Sequence, residues 1–239
     1  MLCASWLFLG SPVTTEILST AGFDILLLDR EHAPGGLDTL YHQLRAADVP
    51  VIVRLDSADP SQIKLALDAG AVGIAVSNLS TADQARNLIA ATRYVPEGTR
   101  GIQRLSRAAR YGTDWQDYRE RTGAAPVTMA VIETVAGLEN LDDILRVDGL
   151  DIIFIGAVDL AAGLGHLEDA EHPTVQNAIN SIETRTCVAG KTLGGLANAH
   201  EDASAKKAKG YRLLSFGSDA LFLRDGALAA ANHAQETLK

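Results

Sequence analysis

Cysteine is scarce in this chain. Cys3 and Cys187 are the two among 239 residues, and they share no metal-ligand spacing. A disulfide framework is not expected, and the pair fits a reducing cytoplasm. Positive charge is also in short supply: 21 Lys and Arg face 30 Asp and Glu, a formal net charge of -9. No basic block offsets that balance, which argues against nucleic acid or an acidic membrane surface as a partner. Lys206, Lys207 and Lys209 read as a solvated helix face. Long apolar runs are missing as well. Met1 to Leu9 is apolar, but it lacks a basic leader and stops at Gly10-Ser11-Pro12, too early to span a membrane. No low-complexity stretch or linker interrupts the chain, so one domain over residues 1–239 is expected.

What is present is ample apolar content, 47% against 21% charged, enough for a large core. Short apolar runs alternate with amphipathic stretches. The pattern predicts strands over 4–9, 24–29, 51–55, 73–76, 127–133, 151–155, 192–196 and 213–216. Helices are expected between them, with Pro60 in a first turn, Gly70 as a stop, Ser80-Thr81-Ala82-Asp83 as a cap and a last helix over 219–237. Between Tyr94 and Pro126 the alternation lapses. That segment holds Arg100, Arg104, Arg107, Arg110, Arg119 and Arg121, and its length predicts a functional loop or lid. Eight strand–helix units point to an α/β fold, a (β/α)₈ TIM barrel. A doubly wound sheet would want a Gly-rich phosphate fingerprint after its first strand, and Gly10-Ser11-Pro12 is not one.

In such a barrel, chemistry gathers at the C-terminal ends of the strands. The second strand carries Ile25 to Leu28, an apolar run that predicts burial on both faces. It then breaks into Asp29, Glu31 and His32 before Pro34-Gly35-Gly36. Arg54 lies on the third strand, Glu133 ends the fifth, and Asp159 follows the sixth. Neighbouring strands lie roughly 4.8 Å apart, so Glu133 and Asp159 can reach one cation between them. Oxygen ligands with positions left open suit Mg²⁺ or Mn²⁺. The turn Gly156-Ala157-Val158-Asp159-Leu160 opens a helix whose first N–H groups can hold a substrate carboxylate. Arg54 can stabilise a developing enolate oxygen, and His32 is the natural proton carrier.

His42, His166, His172, His200 and His233 receive no role. Schiff-base chemistry needs a lysine inside the barrel. Lys64, Lys191, Lys206, Lys207, Lys209 and Lys239 all fall outside the expected strands. A phosphate site at Gly194-Gly195 and Gly217-Ser218 ranks second, because it leaves Glu133 and Asp159 unexplained.

Four stretches then stand out in order: Asp29-Arg30-Glu31-His32-Ala33-Pro34, Val53-Arg54, Val131-Ile132-Glu133-Thr134 and Ile155-Gly156-Ala157-Val158-Asp159-Leu160. They resemble the metal-dependent class II pyruvate aldolases of the 4-hydroxy-2-oxoheptanedioate aldolase (HpcH/HpaI) family. The resemblance covers nearly the whole chain and includes Asp59-Pro60, Asp68-Ala69-Gly70-Ala71 and Glu97-Gly98-Thr99-Arg100-Gly101. It implies reversible cleavage of 4-hydroxy-2-oxo acids to pyruvate and an aldehyde through a pyruvate enolate. Glu133 and Asp159 would hold the divalent cation (Mg²⁺, Mn²⁺ or Co²⁺) that chelates the 2-oxo acid. Arg54 would stabilise the enolate, and His32 would act as the base. Asp68 matches the aspartate that pairs with this histidine across a subunit boundary. Trp6 and Leu196 match positions that line the pocket. Asp29 joins His32, Arg54 and Asp68 in the expected catalytic set, and Gly156, Ala157 and Val158 join the substrate-binding set. Family members assemble as trimers or hexamers with the last helix packed on a neighbouring subunit.

The chain also departs from the family pattern. Val131 stands where Gln is usual, Ala157 where Pro is usual and Ala161 where Ser is usual. Ser77-Asn78-Leu79-Ser80 replaces a proline-bearing motif. These departures leave room for a bond-forming biosynthetic member, citrate-synthase-like or macrophomate-synthase-like. A barrel subunit without turnover is the remaining reading.

Overall fold

Eight parallel strands close on themselves in chain order. The computed structural model describes residues 1–120, 125–167, 169–197 and 200–238. The strands are β1 (Leu2–Leu7), β2 (Ile25–Asp29), β3 (Val51–Leu55), β4 (Gly73–Val76), β5 (Val127–Ile132), β6 (Ile152–Ile155), β7 (Thr192–Leu196) and β8 (Tyr211–Ser218). Helices α1 (Pro12–Ser19), α2 (Leu37–Ala46), α3 (Pro60–Ala69) and α4 (Ala82–Thr92) follow the first four strands. Then come α5 (Trp115–Glu120), α6 (Val135–Glu139), α7 (Leu141–Leu145), α8 (Ala157–Gly163), α9 (Pro173–Val188), α10 (His200–Ala208) and α11 (Asp219–Thr237). β1 pairs with both β2 and β8, setting Ala4 opposite Ile25 and Leu2 opposite Leu213, and this closes the barrel.

Side chains alternate between two apolar compartments, as strand geometry requires. Leu26, Leu28 and Val53 face outward and pack with Ile63, Leu67 and Leu88 of the helices. Ala4, Trp6, Ile25, Leu27, Ile52, Met129, Val131 and Phe154 fill the inside. A strand covered on both sides must be apolar throughout, which is why Ile25 to Leu28 shows no polar interruption. The same two-residue step has a further effect at the strand ends. Ile25, Leu27, Asp29 form one series, Ile52, Arg54 a second, and Met129, Val131, Glu133 a third. The step therefore carries each inner apolar series into a charged residue at the C-terminal mouth.

Local signals set the helix boundaries. The Asp59 carboxylate accepts from the N–H groups of Ser61 and Gln62 at the start of α3. Gly70 ends that helix at φ 112°, where a side chain would be strained. Thr81 and Gln84 form a reciprocal capping box on α4.

Several expectations shift. β1 spans Leu2–Leu7 rather than 4–9, because the amides of Phe8 and Leu9 bond to the Asp219 carboxylate and not to a strand. β8 is longer than expected, and Glu133 lies one residue past β5.

The arginine-rich segment is not a lid over the mouth of its own barrel. It connects a helix to a strand, so it lies at the N-terminal end of the barrel, away from the mouth. Arg100 bonds to Asp68 (2.7 Å) and to Tyr118 (2.9 Å), and Arg107 donates to the carbonyls of Ala69 and Leu44. These arginines tie the segment to the base of α2 and α3. Arg121 lies outside the described residues.

Gly194 and Gly195 sit within β7 rather than in a phosphate-binding loop. A Cβ on Gly195 would come within 2.7 Å of the Tyr211 ring, and one on Gly194 within 3.0 Å of Phe154, so packing explains both. Among the described residues, no helix is long and apolar enough to cross a membrane.

Candidate active site

A cavity of about 520 Å³ opens at the C-terminal mouth. Arg54, Glu133, Asp159 and the start of α8 line it, and Trp6, Phe8 and Phe154 form an aromatic wall. Trp6 stacks on Phe8 at 5.6 Å and meets Phe154 edge-on at 5.8 Å. Its indole N–H donates to Ser215 Oγ (3.2 Å), which fixes the ring. Among the described residues, no lysine lines this cavity.

Arg54 is held from three sides. Its Nε donates to Asp29 Oδ1 at 2.7 Å, and its Nη1 lies 3.4 Å from Glu31 Oε2. Its guanidinium sits over the Trp6 ring at 4.6 Å. Asp29 is fully buried and also accepts from the N–H groups of Glu31 and His32. Burial pushes the Asp29 carboxyl up. The hydrogen bond and charge of Arg54, with the two amides, outweigh burial and hold it below the ordinary carboxylate range.

A depressed folded pKa contributes stability that is complete above the unfolded value of about 4 and is lost as pH falls through the lower folded value. Urea midpoints should therefore drop from about pH 5 to about pH 2, more steeply in the unaltered chain than in Asp29→Asn. Parallel profiles would assign the loss to other groups.

Glu133 is 4% exposed. The Asn78 N–H donates to its Oε1 at 2.7 Å. A Cβ at Gly156 would come within 2.5 Å of its Oε2, so only glycine lets the carboxylate lie there. Burial pushes the Glu133 pKa up and the Asn78 amide pulls it down. The charges of Asp159 and Glu31 push it up again, and the net direction is upward despite Arg54.

Among the described residues, two arginines line the cavity, and both are engaged: Arg54 with Asp29 and Glu31, Arg224 with Asp225. The Glu133–Asp159 pair thus lacks a counter-charge of its own. A divalent cation fits that donor set, since it would relieve the repulsion and leave other positions to water or substrate. Among the described residues, no group of three or more His, Cys, Asp or Glu side chains is placed to hold a metal ion.

Arg54, Glu133, Asp159, Trp6, Gly156, Ala157, Val158 and Leu196 all border this one cavity. Gly156 is the N-cap of α8 and offers no capping side chain to the first-turn amides. Asp29 lies beneath Arg54. His32 does not line this cavity: its side chain is 67% exposed, and its Nε2 lies 3.6 Å from Oε2 of Glu31, the carboxylate that faces Arg54. Asp68 is not brought to the mouth of its own barrel. It lies near the end of α3, just before Val72, whose N–H bonds the carbonyl of the first residue of β3, and so at the opposite end.

Sequence reasoning misses Phe8, Phe154 and Arg224 in the cavity wall, and the donors Ser77 and Asn78 that fix Glu31. Phe8 follows Trp6 by the inner two-residue step and is accessible to that pattern. Arg224 has no comparable signal.

With this geometry in place, known proteins give a consistent comparison. Residues 3–225 match the family described as HpcH/HpaI aldolase/citrate lyase. A 5-keto-4-deoxy-D-glucarate aldolase of Escherichia fergusonii is 40% identical over 230 residues, covering 95% of this chain and 90% of that protein. The crystal structure of an HpcH/HpaI aldolase/citrate lyase family protein from Burkholderia cenocepacia is 32% identical, with a TM-score of 0.91 over 98% of this chain and 94% of that one. The citrate synthase SbnG is 26% identical, with a TM-score of 0.87 over 100% of this chain and 95% of that one. The chain belongs to the HpcH/HpaI aldolase/citrate lyase family.

Proposed function

We propose that this chain is a divalent-metal-dependent aldolase that reversibly cleaves 4-hydroxy-2-oxo acids to pyruvate and an aldehyde. The observation that carries this reading is Glu133, Asp159 and Arg54 around one cavity, in a chain 40% identical to a 5-keto-4-deoxy-D-glucarate aldolase. Numbered from its keto end, 5-keto-4-deoxy-D-glucarate is a 4-hydroxy-2-oxo diacid. Diacids of this class are the substrates we assign.

Mg²⁺, Mn²⁺ or Co²⁺ between Glu133 and Asp159 would supply Lewis acidity toward the keto oxygen. The remaining work falls to the chain. Arg54, pinned by Asp29 and Glu31 and stacked on Trp6, meets the enolate oxygen with a guanidinium that needs no reorganisation. The opening turn of α8 faces the substrate carboxylate through Gly156, Ala157 and Val158, and Leu196 packs beside it. His32 takes the hydroxyl proton in cleavage and returns it in addition.

Asp68 serves His32 of a neighbouring copy. Its position at the far end of the barrel suits a contact between chains, and its carboxylate is oriented by buried Arg100. Among the described residues of α11, only Asp219 is buried, while Phe222, Leu223 and Leu228 stand exposed. An apolar helix face of this kind fits packing on another subunit in a trimer or hexamer. The free thiols of Cys3 and Cys187 fit a cytoplasmic setting.

The test is pyruvate release from a 4-hydroxy-2-oxo diacid. Release should stop after thorough chelation and return with Mg²⁺, Mn²⁺ or Co²⁺. Release that survives chelation would contradict the proposal.

A further inference from the structure

β4 ends in a turn to which the reaction outlined above assigns no part. Asn78 stands there at φ 55°, a left-handed conformation in a residue other than glycine. Asparagine tolerates it better than most side chains. The turn aims two donors of one residue at two different carboxylates. The backbone N–H meets Glu133 Oε1 at 2.7 Å, and the side-chain Nδ2 meets Glu31 Oε1 at 3.2 Å. Buried Ser77 donates to the other Glu31 oxygen, Oε2, at 2.5 Å. That oxygen also faces Arg54 Nη1 at 3.4 Å.

We propose that Asn78 is a positioning residue that joins the two halves of the site. Its backbone amide holds the Glu133 carboxylate with Oε2 on the Gly156 side, and its side-chain amide holds Glu31 against Arg54. The inference rests on Glu133 as a metal ligand. The chemistry of an amide suits both tasks. It satisfies two carboxylates without adding charge, whereas a lysine would compete with the cation and an aspartate would repel both acids. The two tasks also separate by chemistry: the backbone amide serves the ligand, and the side chain serves the arginine arm.

Two variants of the full chain divide them. Asn78→Gly keeps the left-handed turn and the backbone N–H but removes the side-chain amide. Mn²⁺ affinity of the chelator-treated protein, read by calorimetry, should stay within about twofold, while kcat/KM for pyruvate release falls about tenfold. Asn78→Ala forces a methyl group into the left-handed turn, so Mn²⁺ affinity should fall as well, by about tenfold. Urea midpoints measured alongside separate these effects from unfolding. Unchanged kcat/KM in Asn78→Gly would overturn the proposal. Equal loss of Mn²⁺ affinity and turnover in Asn78→Gly would also overturn it, because the side chain would then only hold the loop. Failure of the unaltered chain to bind Mn²⁺ would defeat the metal reading itself, and the inference with it.

Discussion

Glu133→Gln should lower pyruvate release by at least about 10³-fold and abolish measurable Mn²⁺ binding. The substitution is nearly isosteric. Gln keeps an oxygen to accept the Asn78 N–H and fits the space beside Gly156, so the cavity keeps its shape. What changes is charge. Glu133 is buried close to Asp159 and Glu31, and its pKa is raised. In the metal-free protein at neutral pH that charge works against folding. Glu133→Gln should therefore unfold at a urea midpoint equal to or higher than that of the unaltered metal-free chain. Loss of turnover without loss of stability marks a ligand rather than a structural acid. A variant that loses both, or that still binds Mn²⁺ at unaltered affinity, would remove Glu133 from the metal site.

Arg54 should separate the other way. Arg54→Lys keeps a positive charge near Asp29 and Glu31 but loses the planar fork that reaches both acids and stacks on Trp6. We expect kcat/KM to fall by about 10²-fold, with Mn²⁺ affinity within about threefold of the unaltered value. Arg54→Ala is the harsher change. It strands Asp29, which is fully buried, and breaking a buried pair from one side costs about 3–5 kcal/mol of stability. The lysine variant is therefore the one that reports on chemistry. An equal loss of metal affinity and turnover in Arg54→Lys would contradict the division of labour between the arginine and the two ligands.

Much of this site is legible in the amino-acid order alone. Ile25-Leu26-Leu27-Leu28-Asp29 reads as a covered strand with a charged end, and the same logic places Arg54 and Glu133. Those residues are local products of a two-residue step, and a step is a sequence property. The Asn78 link is not legible in that way. Asn78 and Glu133 are 55 residues apart, and Ser77 and Glu31 are 46 apart, so only the lateral pairing of β2 through β5 brings them together. In the sequence, Ser77-Asn78-Leu79-Ser80 reads only as a missing proline motif.

The arginine-rich segment misleads for a different reason. Length and composition mark a long connection, but they do not say which end of the barrel it covers. The order of elements does: a connection from α4 to β5 lies at the strand N-termini. Asp68 carries the same lesson, since its place near the end of α3 puts it at the opposite end from the mouth of its own barrel.

Under the proposed function, Glu133 and Asp159 would hold one cation, and the barrel would enolise pyruvate only with that cation bound. The most direct measurement is proton NMR of pyruvate incubated with the chain in D₂O. The methyl signal should decay by exchange when Mg²⁺ is present, stop decaying when chelator is added, and persist undiminished with Glu133→Gln. Exchange that continues at the same rate after chelation, or in Glu133→Gln, would contradict the claim.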